Sequence, residues 1–122
     1  MANEITVSVS LNGEKGTKKD RRAFGGLQFD MAGNNFIHHT QSIGTSEEAL
    51  VMSGDVTVPG WAVFFNHDDT NFVEIRPATG VADLVTVPPQ GPALFKFASD
   101  ATAPFAIADT ATCDLEYLIF EA

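Results

Sequence analysis

The stretch that decides the fold is Trp61-Ala62-Val63-Phe64-Phe65-Asn66, followed by His67-Asp68-Asp69-Thr70 and then Asn71-Phe72-Val73-Glu74-Ile75. The first six residues are apolar on both faces of an extended chain, which predicts a central, fully covered strand with Trp61 in the core. The last five read as a shorter strand, with Glu74 between Val73 and Ile75 marking a wet face. The Asn- and Asp-bearing stretch between them reads as a tight polar turn, so the whole is expected to be a hairpin. Pro59-Gly60 ahead of it is expected to form a type II turn.

Outward from this hairpin, the same period-two pattern recurs. Ile5, Val7, Val9 and Leu11 alternate with Thr6, Ser8 and Ser10, giving a half-buried strand over 4–11 that Asn12-Gly13 should end. Leu27, Phe29 and Met31 form a second strand, and 36–42 a third. Thr45 and Glu48 fit a helical capping box, but the run is short and Gly54 and Pro59 follow, so a strand over 49–52 is favoured. Further strands are expected over 83–87, 93–97 and 105–108, with a loop at 99–104. In the last strand, 113–120, Leu115, Tyr117 and Ile119 alternate with Asp114, Glu116 and Leu118. The total is about nine to ten short, mainly antiparallel strands with turn signals about every 8–12 residues, an all-β, jelly-roll-like single-domain β-sandwich spanning 1–122. No fixed-period repeat points to a propeller or solenoid.

Composition narrows the functional classes. The 122 residues carry sixteen acidic and seven basic side chains, a net charge of -9, which disfavours nucleic acid and anionic membrane as partners of the bulk surface. Ten Phe against one Trp and one Tyr suggest aromatics that fill an interior. Cys113 is the single cysteine and excludes an intramolecular disulfide. The start, Met1-Ala2-Asn3-Glu4, has no secretory pattern, and no apolar run is long enough to span a membrane, so a soluble protein made in the cytoplasm is expected. Five of the seven basic residues, Lys15, Lys18, Lys19, Arg21 and Arg22, fall in one polar segment. That segment is expected to be an exposed basic loop or arm over about 12–26, closed by Gly25-Gly26, on an acidic body. It is either solvated surface or a contact for an acidic protein or a neighbouring subunit.

Catalytic chemistry finds little footing. His67-Asp68-Asp69 could ligate a metal, yet lacks the spacing and sharp-bend glycine of a calcium loop. His38 and His39 are adjacent in a strand, so they point to opposite faces and cannot chelate together. Glu47-Glu48 and the other carboxylates are scattered through turns rather than spaced across a cleft. No Gly-x-Ser-x-Gly elbow, P-loop or dinucleotide fingerprint is present, and nothing local activates Cys113. No cofactor, metal or enzymatic activity is expected.

A resemblance adds to this reading. The succession 43–50, Gly54-Asp55-Val56, Pro59-Gly60-Trp61, the Asn66 to Ile75 stretch, the Pro- and Gly-bearing segment from Pro88 into Ala93-Leu94-Phe95, and Asp114-Leu115-Glu116-Tyr117-Leu118-Ile119 resembles the small structural proteins of tailed bacteriophage virions. The match in pattern covers roughly 27–120 and leaves out the basic segment. It implies a non-enzymatic β-sandwich, foremost a capsid decoration (cement) protein on the outer shell. Its partners would be the major capsid protein or other virion proteins and further copies of itself, as a trimer. The family also includes tail and neck components. From a different class, a host-glycan-binding β-sandwich adhesion module would display aromatics for sugar stacking, whereas Trp61 and Tyr117 both sit in apolar strand contexts.

Overall fold

A computed structural model describes residues 3–52, 54–99, 101 and 103–122. Positions 1–2 of the expected N-terminal start, and 100 and 102 of the loop expected over 99–104, lie outside the described residues. Ten strands form in chain order: β1 (Ile5–Lys15), β2 (Lys18–Phe29), β3 (Phe36–Ile43), β4 (Glu48–Ala49), β5 (Pro59–Asn66), β6 (Val73–Arg76), β7 (Val85–Val87), β8 (Gly91–Lys96), β9 (Phe105–Ala108) and β10 (Cys113–Glu121). No helix occurs among the described residues. The chain divides into two compact units, 1–32 and 33–122.

The second unit is a β-sandwich. One sheet has the order β3-β10-β5-β8 and the other β4-β9-β6-β7, and every pair is antiparallel. The register of β10 explains the core. Leu115, Tyr117 and Ile119 oppose Asn66, Phe64 and Ala62 of β5, and all six are buried. From the facing sheet come Val73, Ile75, Val87, Ala106 and Ala108, so the two inner faces make one cluster. Phe64 is its aromatic centre, stacked on Phe95 at 5.5 Å, with Phe97 edge-on at 6.3 Å and Tyr117 tilted at 5.9 Å. Burial of this alternating set is the dominant favourable term in folding.

The 61–75 stretch departs from the expected hairpin. β5 and β6 do not pair; they lie in different sheets, and 67–72 is an arch that crosses the sandwich. Asn66 is the reason. Its side chain is fully buried, donating from Nδ2 to the Asn71 carbonyl at 2.8 Å and the Val87 carbonyl at 3.3 Å, while Oδ1 accepts the Asp68 N–H at 3.0 Å. Asp68 then accepts the N–H groups of Thr70 and Asn71. Polar residues that read as a two-strand turn thus satisfy the backbone of an inter-sheet crossing.

Strand β5 is central, as expected, but covered on one face only. Ala62, Phe64 and Asn66 face inward; Val63 is 37% exposed, and Trp61 and Phe65 are half-buried on the outer face. Pro59-Gly60 belongs to the start of β5, opposite Glu121, rather than to a turn. Pro92 lies inside β8, which is possible because β8 is an edge strand. The strand expected over 49–52 forms only as the two-residue β4, Glu48–Ala49, and the one expected over 83–87 shortens to β7, because Asp83 and Leu84 make other bonds. The aromatics do not all fill the interior either: Phe24 and Phe36 are 44% and 59% exposed.

The first unit is a two-stranded antiparallel ribbon. The expected loop over 12–26 is regular strand instead, and Asn12-Gly13 does not end β1. The reversal falls at Gly16-Thr17, where Gly16 takes φ 62°, the left-handed geometry that a tight two-residue hairpin turn needs at its first central position. Gly25-Gly26 makes a bulge opposite Ser8: Val7 opposes Leu27 and Val9 opposes Phe24, Gly26 takes φ 67°, and its N–H reaches Ser8 Oγ at 3.2 Å.

Candidate functional site

Every cation singled out in the basic segment falls at the tip of this ribbon. Lys15 and Lys18 are directly opposed across the turn, Lys19 opposes Glu14, Arg21 opposes Asn12, and Arg22 opposes Leu11. All five side chains are exposed, and among the described residues none makes an ion pair. Arg22 lies over the Phe24 ring at 4.5 Å, a cation–π contact that keeps its guanidinium extended along the strand. Like charges directly opposite one another destabilise a strand pair. The Lys15–Lys18 rung is therefore a local cost that an anionic partner would remove. Residues 33–122 hold twelve carboxylates against Arg76 and Lys96, so the charge asymmetry follows the division into units.

A second polar cluster lies on the outer face of the first sheet. His38 Nε2 is 2.6 Å from one oxygen of Glu116, and His67 Nε2 is 2.8 Å from the other. The hydrogen bonds from His67 and His38 hold the Glu116 carboxyl below the usual carboxylate range. His39 points to the opposite face, its ring 5.9 Å from that of Tyr117. The structure therefore separates His38 from His39, as adjacency in a strand requires, and brings His38 to His67 through Glu116. That pairing depends on the register of β3 against β10. The sequence signal was present only as the alternation that turns Glu116 outward. Asp68 and Asp69 are engaged elsewhere, Asp68 by Thr70 and Asn71 and Asp69 by Gln90 Nε2 at 3.0 Å. Among the described residues, no group of three His, Cys, Asp or Glu side chains is arranged to hold a metal ion.

The remaining titratable groups brace the sandwich. Arg76 donates from Nη1 to Glu47 at 2.9 Å and from Nε to Asp83 at 2.6 Å. The Thr79 hydroxyl, the Arg76 guanidinium and the Gly80 N–H hold the Glu47 carboxyl at about 2. Its neighbour Glu48 accepts the Gly44 N–H and a Gln41 amide hydrogen, so the two acids serve different loops. Because the folded pKa of Glu47 lies below its ordinary 4.5, its contribution is complete above that value and lost as pH falls toward 2. Glu47→Gln should therefore remove part of the stability at pH 7 and flatten the acid limb. Thermal melts at pH 7 and pH 2.5 check this: wild type and variant should differ at pH 7 and converge at pH 2.5, and a constant difference would refute it.

Buried groups are equally committed. The Tyr117 hydroxyl donates to the Val51 carbonyl at 2.7 Å, with Gln41 Oε1 at 2.8 Å, and burial pushes its pKa up to about 12. Cys113 is buried, its thiol directed to the carbonyls of Ala111 and Asn71; burial first, then Asp68, Asp109 and Asp114, push its pKa up. A raised thiol pKa opposes nucleophilic chemistry. A cleft of about 710 Å³ is lined by Val81, Leu84, Val85, Leu94, Phe95 and Lys96 among others, Lys96 being its one charged lining residue among the described residues. Among the described residues, nothing there sets an acid beside a base. The ribbon tip, with its five exposed cations, is thus the strongest candidate site.

Against known proteins, the chain matches no family, no curated protein and no solved structure.

Proposed function

We propose that this is a non-enzymatic structural protein of a tailed-bacteriophage virion, a decoration (cement) protein of the outer shell acting as a homotrimer. The observation that carries the reading is the ribbon tip, five cations without an ion pair among the described residues, on a chain whose other unit is strongly acidic. Such a tip suits a protein contact repeated many times, where modest single affinities multiply through multivalency. The pattern resemblance over roughly 27–120 supports the virion setting. Fold-level analogy adds to it. With β3 to β10 taken in order, the sheet orders β3-β10-β5-β8 and β4-β9-β6-β7 support a jelly-roll reading, an architecture frequent in viral capsids and in lectins.

The lectin half of that analogy keeps the adhesion module as a second reading. Trp61 on the outer face favours it, whereas buried Tyr117 is unavailable for sugar stacking. Copy number separates the readings. A shell decoration protein should be present in hundreds of copies per purified particle, whereas about a dozen or fewer indicates a neck, tail or adhesion role. Neutralising Lys18, Lys19, Arg21 and Arg22 should weaken attachment to undecorated shells at least tenfold without lowering the melting temperature. Attachment of the wild type should also fall as salt rises. Binding indifferent to both changes would remove the tip from the contact.

A further inference from the structure

We propose that the β1–β2 ribbon of one copy lies across the outer face of the β3-β10-β5-β8 sheet of a second copy, apolar side down and basic tip over its carboxylates. Directly opposed residues of a strand pair share a face. On one face of the ribbon the rungs are Ile5–Phe29, Val7–Leu27, Val9–Phe24, Leu11–Arg22, Gly13–Asp20 and Lys15–Lys18; on the other they are Thr6–Gln28, Ser10–Ala23, Asn12–Arg21 and Glu14–Lys19, so Lys15, Lys18 and Arg22 share the apolar face while Lys19 and Arg21 lie on the opposite one. The ribbon is amphipathic; Ile5 and Val7 at its base are buried, and only toward the tip is its apolar face open, Val9 being 41% exposed and Leu11 76%. A two-stranded ribbon is marginal in water without a covering layer. The open stretch at Val9 and Leu11 therefore reads as half of a contact.

The sheet offers the other half. The solvent face of an antiparallel sheet is normally polar. Here the register sets His38, Leu118, Val63 and Leu94 in one row across four strands, with Val63 and Leu94 exposed. Further along β10 the same face carries Glu116 and Asp114. The face thus runs from apolar to acidic, as the ribbon runs from apolar to basic.

Charge decides the occupant. Three of the five cations, Lys15, Lys18 and Arg22, share the apolar face of the ribbon, and the sheet face offers them Asp114 and Glu116, the latter already hydrogen-bonded by His38 and His67, within a unit of twelve carboxylates against two cations. A second copy supplies the apolar row and the carboxylates together, in matching order. Ribbon on sheet is a heterologous contact, the kind that closes into a ring when the rotation permits, in keeping with a trimer. The inference rests on the self-association in the proposed function and not on the virion. A protein that decorates shells yet is monomeric in solution would sink the ribbon contact alone, and a ribbon-linked oligomer absent from virions would sink the virion role alone.

The test is sedimentation equilibrium of the full chain at low and high salt. The wild type is expected to form a closed oligomer of the 13.1 kDa chain that weakens as salt rises. Leu11→Glu, at a site open to solvent, should weaken association at least tenfold with an unchanged melting temperature. For geometry, the single variants Leu11→Cys and Val63→Cys are mixed and oxidised; buried Cys113 does not compete. Disulfides between the two different variants are expected. A monomer at every concentration, 11–11 crosslinks in place of 11–63, an 11–63 double variant that closes within one chain, or association with anionic vesicles in place of self-association would each overturn the proposal.

Discussion

Phe64→Ala is expected to lower the unfolding free energy by about 3–5 kcal/mol, the range for truncating a fully buried phenylalanine. Phe64 has no exposure and sits among Phe95, Phe97 and Tyr117, so truncation leaves a cavity bounded by three rings that cannot all collapse into it. Against a total of about 5–15 kcal/mol for a domain, this is a large fraction. Urea unfolding followed by tryptophan fluorescence measures it. The informative comparison is Trp61→Ala, followed by circular dichroism. Trp61 lies three residues earlier in the same strand, but on the outer face and half-exposed. It should cost clearly less than Phe64→Ala. Equal costs would mean that β5 is covered on both faces.

Asn66→Ala is expected to cost about 2–4 kcal/mol, because each buried polar group left without its partner costs about 1–3 kcal/mol. The substitution strips donors from the Asn71 and Val87 carbonyls and the acceptor from the Asp68 N–H. Asn66→Asp should be worse at neutral pH, since a carboxylate there would face two carbonyls in a buried site. Recovery of the aspartate variant at low pH, where the acid can donate, would support this account. Denaturant unfolding at pH 7 and pH 4 supplies the comparison. A loss under about 1 kcal/mol for Asn66→Ala would mean that water satisfies the arch in its place.

These two neighbours show how far the residues could be read without the fold. Phe64 is legible as core because β5 is strongly apolar and β10 alternates so cleanly. Asn66 reads as the last residue before a turn, and only its burial reveals that it holds two sheets together. The candidate site divides in the same way. The five cations of the ribbon tip are visible as a cluster in the chain itself. That Lys15 faces Lys18, and that Leu11, Phe24 and Arg22 share a face, follows from a reversal placed at Gly16 and a bulge at Gly26. Asn12-Gly13, the stronger local turn signal, lost to a register that continues β1 by four more rungs beyond Leu11.

The amino-acid sequence by itself determined the all-β class, the alternation that makes Leu115, Tyr117 and Ile119 core, and the segregation of charge. These are local properties: a period of two and a run of like charges are written in neighbouring residues. Only the tertiary structure decided which strands are neighbours. It placed β5 and β6 in different sheets, joined His38 to His67 through Glu116, and left Val9 and Leu11 near the ribbon tip exposed. Pairing is a long-range choice, made by which inner faces fill one core together, and the same local pattern serves a hairpin or an arch equally well.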